Sequence, residues 1–213
     1  PPTFGSHPEQ IQGIIAGGSP ALVRSQEGAE DRPEDGAISL REKSCTAKDV
    51  VMGIAASGVT PFVLGALSEA RSIGCAVLFF SCNPSAAQQV DADVRIVPVV
   101  GPEVIAGSTR MKAGTATKLI LNMITTTAMV QMGKVYENLM VDLTPSCEKL
   151  QDRAERILTA FTGLDQPRCR KALLAADNDL KTAVVMTKRA VSKETARRLL
   201  RENGDIVRKA LEA

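Results

Sequence analysis

Short β-branched runs alternate with stretches of helical periodicity over the first hundred residues. The runs Ile11 to Ile15, Val50 to Ile54, Ala76 to Phe80 and Val94 to Val99 predict strands. Between the second and third, Val63, Leu64, Leu67, Ala70 and Ile73 recur at helical spacing, and Gly74 follows where a left-handed C-cap belongs. That is a complete βαβ unit, so the fold class is α/β with a parallel sheet. Residues Ala21 to Gln26 carry a helical pattern, whereas the polar stretch Gly28 to Lys48 predicts a surface connection. Ala113 to Met132, with little charge beyond Lys118, predicts a long helix buried on most sides by the sheet or a partner subunit.

The texture changes after Asp142. Thr144 and Pro145 suit an N-cap and first helical position, and Leu150, Ala154, Ile157, Leu158 and Phe161 form an amphipathic stripe. Helices are predicted over Pro167 to Ala176, Asp179 to Val191, Ser192 to Glu202 and Ile206 to Leu211, with no strand and no internal repeat. The expected division is therefore an α/β domain over 1–144 and a small all-α domain over 145–213.

Composition narrows the chemistry. His7 is the single histidine, which speaks against a histidine-based metal site or a Ser-His-Asp triad. The five cysteines are odd in number and lack short paired spacing, so reduced thiols in a cytoplasmic protein are expected rather than disulfides or zinc. The longest apolar runs fall far short of the roughly 20 residues that span a bilayer, and no membrane association is expected. The net charge is +2, but the basic excess lies after residue 144. One Tyr and no Trp leave few platforms for base stacking, so these cations are assigned to solvated helix faces and no nucleic-acid partner is expected.

Three segments carry candidate chemistry. Gly53 to Pro61 joins a strand to the following helix, where ligands bind in open parallel sheets. Ser57 and Thr60 offer hydroxyls, Gly58 permits close backbone approach, and Pro61 at the first helical position leaves neighbouring amides to face an anion. A phosphate suits that loop; the alternative is a plain turn with Thr60 as N-cap. In the second segment, Gly107 to Thr115, Ser108, Arg110 and Lys112 cluster before the long helix as a second anion contact or a solvated cap. Nearby Glu103 either complements that helix or binds sugar hydroxyls. In the third, Glu27, Glu30 and Asp31 crowd one short stretch, and mutual repulsion of carboxylates is one way to ready a general base.

These segments resemble the N-acetylmuramic acid 6-phosphate etherase family. PPTFG, GIIAGG, EGAED, GIAASG-x-TP, SCNP, IAGSTRMKAGTATKLILNM and GKVYENLMVD follow one another in that family's order from Pro1 to Asp142, and the Leu-Leu-Ala-Ala and Lys-Thr-Ala-Val-Val-Met runs resemble its helical tail. The resemblance implies a three-layer sandwich of the flavodoxin-like sugar isomerase (SIS) type. It also implies a cofactor-free cytoplasmic lyase of peptidoglycan recycling, a homodimer, that splits D-lactate from N-acetylmuramic acid 6-phosphate. Glu30 takes the position of the base. Ser57, Gly58 and Thr60 take the phosphate loop, with Ser108, Arg110 and Lys112 as further contributors. The family's proton donor precedes the Pro-Pro-Thr motif and is expected, with a further phosphate loop and the first strand, upstream of Pro1. Val59 replaces an arginine usual in the family's phosphate loop. The same resemblance extends to the glucokinase regulatory protein, a non-catalytic phosphosugar binder, and the fold also serves aldose-ketose isomerases.

Overall fold

The computed structural model of the protein describes residues 4–143 and 147–213. The Pro-Pro-Thr opening and the expected Thr144-Pro145 cap lie outside the described residues. Two compact units are present, one of residues 13–122 and the other of residues 4–12 with 123–213.

In the first unit, parallel strands β1 (Val50–Ile54), β2 (Ala76–Phe80) and β3 (Val94–Ile96) form a sheet in the order β1-β2-β3, with Val50 opposite Ala76 and Leu78 opposite Val94. Helix α2 (Pro61–Ile73) connects β1 to β2 and ends on Gly74 in the left-handed region, as its periodicity predicted. Leu67, Ala70, Val77, Phe79 and Ala87 are buried together, the last from the short helix α3 (Pro84–Ala87). Arg71 of α2 grips both carboxylate oxygens of Asp93 at 2.9 and 3.0 Å. Asp93 in turn accepts from the Val77 amide at 2.7 Å, which ties α2 to the start of β3 and to β2.

The polar stretch before β1 is not a bare surface connection: it contains α1 (Pro33–Arg41), packed on α2. Pro33 opens the helix, with Glu34 and Asp35 in the first turn and Arg41 in the last, each favourable for the helix dipole. The apolar content is low because backbone at the glycines makes much of the contact, with Leu40 the one large side chain of α1 that is buried. A Cβ on Gly65 would lie 2.0 Å from the Pro33 carbonyl oxygen, and one on Gly36 would lie 2.0 Å from that of Phe62.

Three other expectations do not hold. Ile11 to Ile15 forms no strand: Ile11, Ile14 and Ile15 are exposed, and no neighbouring strand in the described residues satisfies its backbone. Ala21 to Gln26 is not a helix; a 3-10 turn at Ser19–Leu22 forms instead, and Leu22 and Val23 are exposed among the described residues. β3 stops at Ile96 because Pro98 removes a ladder donor and restricts the residue before it.

The long helix α4 (Lys112–Gln131) is present, and within the single chain one of its stripes is left open. Leu119, Met123 and Val130 are about half exposed, at 50%, 59% and 49%, and fall on one stripe. Apolar composition records that a helix face wants cover without saying what supplies it.

In the second unit a hairpin of β4 (Val135–Tyr136) and β5 (Leu139–Met140) precedes α5 (Glu148–Thr162). Tyr136 meets Phe161 of α5 with ring centroids 4.8 Å apart. Then come α6 (Gln166–Ala175), α7 (Leu180–Arg189), α8 (Lys193–Glu202) and α9 (Val207–Glu212), close to the predicted bounds. Asp142 pairs with both Lys134 and Lys181, joining the hairpin to α7. Glu155 of α5, buried, accepts from Gln166 and Arg170 of α6.

The last four helices are two copies of one helix-turn-helix, although the sequence shows no repeat. Cys169, Leu173, Leu180 and Ala183 are buried in the first, and Ala196, Leu200, Val207 and Ala210 in the second. The turns match as well: Asp177 and Asn178 have φ of 56° and 61°, Gly204 and Asp205 of 65° and 58°. Only small or aliphatic character recurs, so residue identity hides the repeat.

Gly65→Ala is expected to lower the unfolding free energy read from urea denaturation by at least the ~1–3 kcal/mol of ordinary overpacking, because the clash is with backbone. Leu158→Ala, at a fully buried position in the other unit, is expected to cost about 2–5 kcal/mol in the same measurement. A wild-type midpoint for Gly65→Ala would mean that the two helices do not touch through their glycines.

Candidate functional site

The loop leaving β1 is built by its neighbour strand. Beyond the ladder, the Ala55 amide donates to Phe80 O at 3.1 Å and the Cys82 amide to Ala56 O at 3.0 Å. Ser81, fully buried, donates its hydroxyl to the same Ala56 carbonyl at 3.3 Å and accepts from the Asn83 amide at 3.0 Å. Asn83 donates its side-chain amide to Ser57 O at 3.0 Å, while its carbonyl caps α3 at Ala86.

Gly58 is required here. Its φ is +82°, and a Cβ would lie 2.6 Å from that of Ala86 and 2.9 Å from the Ser81 hydroxyl oxygen. Thr60 occupies the N-cap position of α2 in extended conformation, yet its hydroxyl makes no capping bond. The Ser57 hydroxyl accepts only a long contact from the Val59 amide at 3.5 Å. Among the described residues the amides of Ser57, Thr60 and Phe62 also donate to no partner within the chain. Two hydroxyls and three amides without strong partners thus gather at one helix N-terminus, an arrangement that receives an anion. Val59, 60% exposed, adds no charge to it. An open groove of about 630 Å³ runs from Gly58 and Val59 along Leu64 and Leu67 to Arg71, with Ala86 and Val90 opposite.

At the start of α4 the structure brings Glu103 to Lys112, whereas Ser108 and Arg110 are near them in sequence without a hydrogen bond to either among the described residues. Glu103 accepts from the Lys112 and Ala113 amides, 3.0 Å each, and so caps the helix; Lys112 Nζ donates to Pro102 O at 2.7 Å. The amides of Ala113 and Lys112 hold the Glu103 carboxyl below its ordinary pKa, with the Lys112 charge adding to the effect. Each Glu103 oxygen keeps a lone pair for a hydroxyl donor. Ser108 is half-buried, and Arg110 is exposed without an ion pair among the described residues. This cluster borders the end of β2: burial first, and then the Glu103 charge, push the Cys82 thiol up.

Glu30 lies in a 3-10 turn (Ala29–Asp31) entered through Gly28 at φ 70° and packed against α2. Its carboxylate is exposed, and no hydrogen bond links it to Ser57 or Thr60. His7 accepts from the Glu9 amide at the start of a short 3-10 helix. No cysteine of the described residues is paired, and none of their His, Cys, Asp and Glu side chains gather into a metal-binding group. No helix of the described residues is long and apolar enough to cross a membrane. Ser81 and Asn83 were visible beforehand only as part of a motif, with Asn83-Pro84 as a helix-start signal.

Known proteins share this framework. A family model described as the glucokinase regulatory protein N-terminal SIS domain matches residues 3–71. The N-acetylmuramic acid 6-phosphate etherase of Salinibacter ruber is 55% identical over 213 residues, all of this chain and 68% of that protein. The chain belongs to that etherase family. Etherases of Mesorhizobium japonicum and Pectobacterium atrosepticum are 49% and 50% identical over 211 residues, covering 99% of this chain and 69% and 70% of theirs.

For this etherase-family chain, the Glu103 cap sets a pH dependence. Because its folded pKa is lowered, the stabilisation of α4 is complete above the unfolded value of about 4.3 and disappears as pH falls through the lower folded value. The Lys112 and Ala113 amide resonances are expected to titrate together below about 4.3 and to lose that transition in Glu103→Gln. Persistence of the transition in the variant would assign the cap to another carboxylate.

Proposed function

We propose that this protein is a carbon-oxygen lyase. It cleaves the D-lactyl ether of N-acetylmuramic acid 6-phosphate to give N-acetylglucosamine 6-phosphate and D-lactate, in cytoplasmic recycling of cell-wall amino sugars. The observation that carries this reading is identity near one half across the whole chain to etherases, together with an N-terminal loop at α2 fit for a phosphate.

In the proposed reaction the open-chain aldehyde acidifies the hydrogen on the adjacent carbon, and Glu30 removes it. The electron pair expels lactate from the next carbon as its ether oxygen takes a proton from the family's general acid, and water then adds across the double bond so formed. The phosphate is held by the hydroxyls of Ser57 and Thr60 and the amides around Gly58. Ser108, Arg110 and Lys112 supply further anion contacts, and Glu103 fixes that cluster while accepting a sugar hydroxyl. In this division residues 1–144 carry substrate and residues 145–213 form the helical domain. We assign the exposed stripe Leu119, Met123 and Val130 of α4 to the interface of a homodimer.

The competing reading is a phosphosugar binder without turnover. It is favoured by the match of residues 3–71 to the regulatory-protein SIS domain. D-lactate release from the substrate by the natural protein separates the two. Glu30→Gln is expected to slow release on the order of a hundred- to ten-thousandfold with phosphosugar affinity kept. Undiminished release by the variant would remove Glu30 from the mechanism, and absence of release by the natural protein would favour the binder. Light scattering over a dilution series is expected to give the mass of two chains, and a monomer throughout would contradict the assigned interface.

A further inference from the structure

We propose that Asn83 is a positioning residue for phosphosugar binding: it sets the peptide plane on which the anion loop turns. The inference rests on the reading of Ser57 to Thr60 as the phosphate loop and adds to it a residue from a different strand end.

The loop is held in steps. Ala55 and Ala56 are fastened by Phe80, Ser81 and Cys82 through backbone and a buried hydroxyl. The next peptide, between Ser57 and Gly58, is the last before the chain reaches the exposed Val59 and the helix entrance. Its two polar ends are pinned in opposite senses: Asn83 Nδ2 donates to Ser57 O at 3.0 Å, and the Gly58 amide donates to Ala55 O at 2.9 Å. A planar trans peptide has no other orientation available once both ends are fixed. The Ser57 hydroxyl and the amides that follow are aimed from that plane.

The remaining side of the turn is closed by contact rather than by bonding, since Gly58 lies against Ala86 and Ser81. Ala86 is itself placed by Asn83, whose Oδ1 accepts from its amide at 3.3 Å. One side chain therefore controls both the carbonyl that orients the loop and the helix that backs it. Asn83 is exposed, so its replacement opens no hole in the core, and its two bonds can be separated by choice of substitute. Serine retains an oxygen suited to capping α3 but cannot reach Ser57 O with an amide. Aspartate retains both shape and cap but turns an acceptor toward that carbonyl.

The test uses the natural protein, with N-acetylglucosamine 6-phosphate and N-acetylglucosamine as probes in calorimetry and with turnover kinetics on the etherase substrate. Asn83→Ser is expected to keep the melting temperature and to weaken binding of the phosphorylated probe about tenfold, the scale of one hydrogen bond. Affinity for the unphosphorylated probe should stay unchanged, and KM should rise with little change in kcat. Asn83→Asp is expected to lose more than Asn83→Ser in the same direction. Wild-type phosphosugar affinity in either variant, or equal losses for both probes, would overturn the proposal while leaving the phosphate loop in place. Failure of the unmodified protein to bind the phosphorylated probe better than the unphosphorylated one would instead overturn the phosphate loop itself, and this inference with it.

Discussion

The parallel pairing of β1 with β2 continues past both strands, and the candidate site depends on that continuation. The Ala55 amide still reaches Phe80, and the Ala56 carbonyl still receives two donors from the β2 side. A loop after a strand is ordinarily the part of an α/β unit freest to vary. Here backbone ladder, buried serine and exposed asparagine reduce that freedom one peptide at a time. The result is a turn that brings groups without strong partners next to the start of α2, where the helix dipole also favours an anion. Preorganisation of this kind lets a site bind a dianion without first ordering itself.

The other side of α2 is held by an equally close constraint. Gly36 and Gly65 let α1 and α2 approach until backbone meets backbone, and the turn carrying Glu30 directly precedes α1. The turn carrying the proposed base and the proposed phosphate loop thus both adjoin α2, one packed against the helix and the other leading into its N-terminus. Arg71 and Asp93 lock the far end of that helix to the sheet. The candidate residues share a framework although no hydrogen bond runs between Glu30 and the loop.

Much of this was legible in the sequence wherever local patterning decides the outcome. β1, α2, Gly74 and β2 follow from alternation of β-branched runs with helical spacing, and the tight turn into α2 follows from Gly58, Thr60 and Pro61 at a strand-helix junction. What escaped depends on partners far along the chain. Ile11 to Ile15 has strand-forming side chains but pairs with no strand among the described residues, and α1 shows little apolar periodicity because glycines make much of its contact beside Leu40. The roles of Ser81 and Asn83 appear only when β2 lies beside β1. That Glu103 reaches forward to the amides of Lys112 and Ala113 is likewise set by the fold of the loop between them. The helical repeat was hidden because burial recurs while residue identity does not.

The central claim, that the phosphate of the substrate sits on the loop from Ser57 to the start of α2, is tested most directly by following backbone amide resonances during titration with N-acetylglucosamine 6-phosphate. The amides of Ser57, Thr60 and Phe62 are predicted to move downfield together and to saturate with the phosphosugar, while N-acetylglucosamine leaves them in place. Saturable shifts confined to other segments, with these three amides unmoved, would contradict the account.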